Sequence, residues 1–312
     1  MLWLFWKSDM KKFFSNKYIC MLTAVFCTLL WGTAYPLIKL AYADMSIITV
    51  PDKLLFAGLR FFIAGLMVFV VCFMMRKNVL DIEKSRIPKI LIYSLLLTVF
   101  HYTFNYIGVG NASATKTSVL SACSAFFGVL LAPVFFKGER LTFNKIAGCV
   151  LGAVGIIIVN LSFFSGTFTF IGEGFIILAT VCSALGSLYG KSVSKGKVFE
   201  VTAWQLSAGG FILCVAAFVL GGGISFNTSG IIELMILAFV SAAAFSLWTA
   251  LLVYNDAGRI MIYNLLIPVF GTMWSFIILN ERDILNPLYI VSLIFICAGI
   301  IFVNLRERKG SR

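Results

Sequence analysis

Residues 126–140 read FFGVLLAPVFFKGER, and residues 268–282 read PVFGTMWSFIILNER. Each is an apolar run carrying proline and small residues, and each closes on Glu-Arg: Glu139-Arg140 and Glu281-Arg282, 142 residues apart. A second apolar run follows each one and ends on a matching hexapeptide, Gly155-Ile-Ile-Ile-Val-Asn160 and Gly299-Ile-Ile-Phe-Val-Asn304, now 144 residues apart. The second copy therefore carries a two-residue insertion. Arg60-Phe-Phe-Ile-Ala-Gly65 and Gln205-Leu-Ser-Ala-Gly-Gly210 correspond in the same way. Self-similarity at this period points to a chain built of two copies of one unit.

The unit is a set of membrane helices. Of the 312 residues 61% are hydrophobic and only 12% charged, about half the charged share of a soluble domain. Mean hydropathy is +1.00. The apolar residues recur in blocks of about 20, the length that carries a helix across hydrocarbon. A β-barrel would show short alternating strands instead. Polar or Gly/Pro-bearing joints divide the blocks into ten expected spans: 19–43, 54–75, 88–109, 115–136, 144–164, 172–194, 200–221, 231–253, 258–279 and 286–305. The 109–115 joint is the least visible, since only Gly110, Asn111 and Ser113 interrupt the run.

Charge gives a second reading of the same topology. With a cytoplasmic N-terminus, the inward set of joints (7–17, 76–89, 137–145, 191–197, 259 and 306–312) holds 20 of the 25 Lys and Arg. Only Lys39, Lys53, Arg60, Lys116 and Arg282 fall elsewhere. That is the positive-inside bias, and a missed span would scramble it. Five spans per copy is an odd number, so the second copy enters the membrane upside down. The expected fold class is an all-α membrane protein with ten transmembrane helices, arranged as two inverted five-helix repeats, both termini cytoplasmic. Its parts are a basic segment 1–18, a first repeat 19–164, a second repeat 172–305 and a basic tail 306–312.

Several function classes drop out. A net charge of +12 reads as the basic loops that orient a membrane protein, so nucleic acid is not an expected partner. The eight cysteines all lie in apolar segments with no C-x-x-C pair, so no metal site is expected. There is no G-x-x-x-x-G-K-[ST] phosphate loop and no H-E-x-x-H or G-x-S-x-G, which argues against an ATP-driven pump and against an enzyme. No cofactor is expected. All 13 acidic residues fall in loops or near span ends, so a carboxylate proton relay in the membrane has no support.

The sequence resembles the EamA-type transporters of the drug/metabolite transporter superfamily. The residues that carry the resemblance are Leu30-Trp-Gly-Thr-Ala-Tyr-Pro36, Leu59-Arg-Phe61, Asn105-Tyr-Ile-Gly108, Ala112-Ser-Ala114, Pro268-Val-Phe270 and both Glu-Arg endings, over roughly 19–305. One departure is Phe126, where the family pattern has the proline seen at Pro268. The resemblance implies export of small metabolites by alternating access, in the plasma membrane of a prokaryote, with a central cavity between the halves. The implied partners are a small-molecule substrate, amino acids or other amphipathic or aromatic solutes, and the lipid bilayer. A homodimer stays open. A channel-like facilitator is the competing reading, and a membrane enzyme using His101 a remote third.

Polar groups inside hydrocarbon normally face a cavity or another helix. The sole histidine, His101, and Asn105 share one face of span 3, flanked by Tyr102 and Tyr106. That face reads either as a cavity wall, with His101 a candidate for proton coupling, or as an interhelical hydrogen bond. Trp31 and Tyr35 share a face of span 1 just before Pro36. Under the repeat, Tyr189 is the counterpart of Tyr35, Trp248 of Tyr106, and Tyr263 of Ser121. Asn264 is embedded in span 9. Trp31, Tyr35, His101, Asn105, Tyr106, Ser121, Tyr189, Trp248, Tyr263 and Asn264 are the expected cavity lining, with ordinary helix contacts as the competing reading for the hydroxyl and amide groups. Lys39 reads as an attractor for an anionic substrate or as a lysine reaching outward. Arg60, matched by Gln205, sits near the outer end of span 2, where reaching out to the interface is a ready explanation. Trp3 and Trp6 read as interface anchors. Gly148, Gly152 and Gly155 form a stripe for close helix approach.

Overall fold

The computed structural model describes residues 10–112, 114–159, 168–280 and 287–305, and they form helices with no strand among them. The helices are α1 Lys17–Asp44, α2 Val50–Met74, α3 Lys84–Asn111, α4 Ala114–Phe135, α5 Phe143–Val159, α6 Phe170–Val193, α7 Val198–Val219, α8 Thr228–Tyr254, α9 Ala257–Leu279 and α10 Pro287–Asn304. Eight are long and apolar enough to cross a membrane. In α4 and α5 the described apolar stretches are shorter, Leu120–Phe135 and Phe143–Ile158. Asn160, Glu281, Arg282, Trp3, Trp6 and the tail 306–312 lie outside the described residues.

The helix starts follow local chemistry. The first backbone N–H groups of a helix lack intrahelical partners, so an oxygen-bearing side chain there is stabilising. Asn16 accepts from the amides of Tyr18 and Ile19 at the head of α1. Thr49 and Asp52 form a reciprocal capping box on α2, with Pro51 in its first turn. Asn227 caps α8 through the Gly230 amide, and Asp256 caps α9 through that of Arg259. At the far end of α9, Asn280 adopts a left-handed conformation (φ 55°) that stops the helix. The helix α1 continues unbroken through Pro36.

Two glycine-lined seams set the closest helix contacts. A Cβ on Gly65 would stand 2.5 Å from the Ser207 amide nitrogen, and one on Gly210 2.3 Å from that of Phe62. So α2 and α7 meet nearly backbone to backbone. The same holds for α5 on α10, where a Cβ on Gly148 would lie 2.5 Å from the Gly299 carbonyl oxygen. The stripe Gly148, Gly152, Gly155 thus packs helices: Gly152 meets Leu265 and Gly155 the Ser292 carbonyl. Around these pairs α1 packs against α8 and α9, and α6 against α3 and α4. The cysteines are free small side chains, as their apolar settings lead one to expect.

The helix α3 is irregular where it matters. Leu95–Phe100 winds as a π-helix immediately before His101. This stretch is pinned to α7: Gln205 Nε2 donates to Thr98 Oγ1 at 2.6 Å, and Ser94 Oγ donates to the Gln205 carbonyl at 3.0 Å. Each extra residue in a turn rotates everything after it on the helix surface, and such bulges occur often at functional sites.

Candidate functional site

A chain of aromatic rings crosses the middle of the bundle. Trp31 on α1 makes edge contacts with Trp248 and Phe245 of α8, with ring centres 5.1 and 5.4 Å apart. Phe245 touches Phe61 of α2 at 5.9 Å, and Phe61 touches Tyr102 of α3 at 4.6 Å. Tyr102 in turn contacts His101 at 4.6 Å and Tyr106 at 6.1 Å. Four residues expected to line a cavity, Trp31, Trp248, His101 and Tyr106, therefore belong to one continuous cluster. Trp31 and Tyr102 are half-buried, whereas Trp248 and Tyr106 are sealed within the packing.

The His101 imidazole lies with Nδ1 at 2.9 Å from the Ala179 carbonyl of α6. With the Nδ1–H tautomer it donates across the helix interface, the second of the two readings open to it. Asn105 is half-buried one turn on. Tyr35 is 53% exposed although it lies nine residues inside α1, and its ring covers Gly271 of α9. Lys39 is exposed and Tyr189 half-buried. Ser121 is half-buried, with its carbonyl accepting from Ser124 Oγ at 3.1 Å. Tyr263 and Asn264 occupy a 3-10 stretch of α9 and are buried, with Asn264 Oδ1 lacking a partner. Tyr263 lies beside Cys20, about 20 Å along α1 from Tyr35 at 1.5 Å per residue. The expected residues thus do not close into one ring.

Arg60 departs from the outward-reaching conformation that its position suggested. It is 3% exposed, and its Nε donates to Ser241 Oγ of α8 at 2.7 Å. It lies seven residues past Lys53 in the charged opening of α2, about 10 Å along the helix. Packing against α8 turns its guanidinium inward and not out to the interface. Sequence held one signal of this: Arg60 is a charge inside an apolar block, and such charges are rare in membrane helices.

The second cluster is ionic and lies at the end of the bundle where the basic joints gather. Glu139, 9% exposed, accepts from Lys191 Nζ at 2.6 Å and from the amides of Ala257 and Gly258 at 2.8 and 3.2 Å. The same lysine donates to the Asn255 carbonyl at 2.7 Å and sits 4.3 Å above the Phe136 ring. Beside it Lys145 Nζ pairs with Asp256, 3.0 Å from each oxygen. Burial pushes the Asp256 carboxyl up, but the Lys145 ammonium and three further hydrogen bonds outweigh it, and the net direction is down. Phe14 stacks on Tyr254, and Asn255 Nδ2 donates to the Phe14 carbonyl. Glu139 closes span 4 in the repeat, and its partner Lys191 is one of the basic residues of the inward joints; nothing in their spacing pairs them.

A sequence model of the EamA-like transporter family matches residues 18–161 and again 170–305. The chain belongs to the EamA-like transporter family. Among its relatives, the "Uncharacterized transporter YvbV" of Bacillus subtilis (strain 168) is 28% identical over 294 residues, 92% of each chain. The "Probable amino-acid metabolite efflux pump" of Escherichia coli (strain K12) is 26% identical over 307 residues, 92% of this chain and 96% of that one. One solved crystal structure shares the fold, with a TM-score of 0.77 at 18% identity, covering 91% of this chain and 97% of the other. This EamA-like protein is thus an all-helical membrane protein of a transporter family, and the names of its relatives point to transport and not to catalysis.

Proposed function

We propose that the chain is a secondary transporter that exports small organic solutes, amino acids or other amphipathic and aromatic metabolites, across a prokaryotic plasma membrane. All ten helices cross the bilayer in this reading, residues 19–164 and 172–305 are inverted repeats, and the segments 1–18 and 306–312 are cytoplasmic. Packing supports the repeat, since contacts recur under a shift of five helices: α1 with α8 and α6 with α3, α1 with α9 and α6 with α4. The seams α2–α7 and α5–α10 join each helix to its own counterpart.

One observation supports alternating access: a close-packed, ion-paired cluster ties the helices together at one end. The opening turns of α9 grip α4, where a Cβ on Gly128 would come within 2.6 Å of Met261. From Leu266 onward α9 leans on α1 instead, with Phe270 and Gly271 against Gly32. The Glu139–Lys191 ion pair locks the gripped end, while Tyr35, nine residues from the far end of α1, is 53% exposed. In this reading the carrier is closed to the cytoplasm and open outward, with the aromatic chain at the base of the opening. A channel-like facilitator would have no use for such a lock.

A solute screen in reconstituted vesicles tests the reading. The expected result is saturable flux with counterflow of an unchanged solute, reduced by Trp31→Ala and by His101→Ala in protein that still inserts normally. Unchanged flux in both variants would remove the cavity, and flux without counterflow would favour a facilitator.

A further inference from the structure

Burying a charge in the membrane interior is costly unless a partner compensates it, and Arg60 has no acidic partner among the described residues. An arginine has five N–H donors and no acceptor, and stays protonated. One donor, on Nε, is used by Ser241, whose own hydroxyl donates to the Leu237 carbonyl. The other four, on the two terminal nitrogens, have no acceptor among the described residues, and no described acidic residue pairs with Arg60. Neither nitrogen is among the fully enclosed polar atoms left without a partner, so each keeps some accessible surface although the residue as a whole is 3% exposed. The guanidinium stands 5.1 Å from the Phe61 ring. Tyr42, Tyr102 and Tyr106 lie near enough to feel its charge. The Tyr42 hydroxyl is itself buried, next to that of Tyr106.

We infer that Arg60 is the anchor for an anionic head group, and that the carried solutes are carboxylates with an apolar or aromatic body, amino acids included. The planar fork of an arginine matches a carboxylate with two parallel N–H donors, and its Nε bond to Ser241 fixes the fork's plane. Hydroxyls of the flanking tyrosines supply further donors. The body then lies along Tyr102 and Trp31, the half-buried members of the ring chain that starts at Phe61. A carboxylate bound there neutralises a charge that the fold leaves uncompensated, which gives the site selectivity by charge and not only by shape.

The inference rests on the transporter reading, and the test separates the two. Vesicles containing wild-type protein are assayed for flux of matched pairs: phenylacetate and phenylacetamide, phenylalanine and phenylalaninamide, indole-3-acetate and tryptamine. The expected result is that the carboxylates of the set move at least about tenfold faster than their uncharged or cationic partners, the worth of one charged hydrogen-bonded contact. Arg60→Gln should bring that ratio to within about twofold, and Arg60→Lys should restore part of it. Equal flux of acid and partner in the wild type, or an unchanged ratio in Arg60→Gln, overturns the anchor while leaving the carrier in place. No flux of any pair, together with no flux in the wider solute screen, overturns both. The wild-type ratio decides the matter even if the Arg60 variants fail to fold.

Discussion

Lys191→Met is the sharpest test of the proposed seal. Lys191 and Glu139 are both more than nine-tenths buried, with Nζ and Oε1 2.6 Å apart. Removing one partner of such a pair costs about 3–5 kcal/mol, because the other charge stays buried. Here Glu139 keeps the Ala257 and Gly258 amides as donors, and methionine keeps the packing on Phe136. A cost nearer 2–3 kcal/mol is therefore the better figure, at about 1.4 kcal/mol per factor of ten. If the pair exists only in the sealed state, the equilibrium moves toward the state open at that end by roughly 30- to 150-fold. The reporter is Ala132→Cys in a background with the native cysteines replaced. Ala132 is fully buried in the last turn of α4, seven residues before Glu139 in the chain. A membrane-impermeant maleimide supplied from the cytoplasmic face should label it slowly in the parent and much faster with Lys191→Met, while Lys191→Arg stays close to the parent. Unchanged labelling in well-folded Lys191→Met protein would refute the idea that this pair closes the bundle.

Two further outcomes follow from other contacts. Gly148→Ala places a Cβ 2.5 Å from the Gly299 carbonyl oxygen, so α5 and α10 must part. The expected cost is about 1–3 kcal/mol, seen as a lower melting temperature in detergent. Gly110→Ala, which meets nothing within 4 Å, serves as the control, and equal effects of the two would sink the close-packing argument. Asp256 has a carboxyl held below its ordinary range by Lys145 and hydrogen bonds against the opposing effect of burial. Its stabilisation is therefore present above the unfolded value of about 3.9 and is lost as pH falls through the lower folded value. Asp256→Asn should lower the melting temperature most near neutral pH, and the gap to wild type should narrow below about pH 4. A gap that widens on acidification would contradict the sign.

Sequence alone determined the helical membrane class and the placing of the long helices, because hydrocarbon leaves a chain few choices. A run of about 20 apolar residues must satisfy its own backbone, and only a helix does so within one segment. Eight of the expected spans coincide within a few residues with helices long enough to cross. The caps at Asn16, Thr49, Asn227 and Asp256 were equally local, since each needs only the next few residues. What the repeat could not supply was which side chains meet. The π-helix at Leu95–Phe100 is held to α7 by Thr98 and Ser94, and directly after it His101 meets the Ala179 carbonyl. No 3.6-residue periodicity encodes that contact. The same limit applies to Arg60: position along α2 gives its depth, but only the approach of α8 decides that Ser241 holds it inside. Likewise Glu139 and Lys191 are 52 residues apart and come together only because α4, α6 and the start of α9 converge at one end. In a membrane protein the bilayer dictates the helices one at a time, whereas charge placement in the interior depends on pairs of helices that the linear pattern does not name.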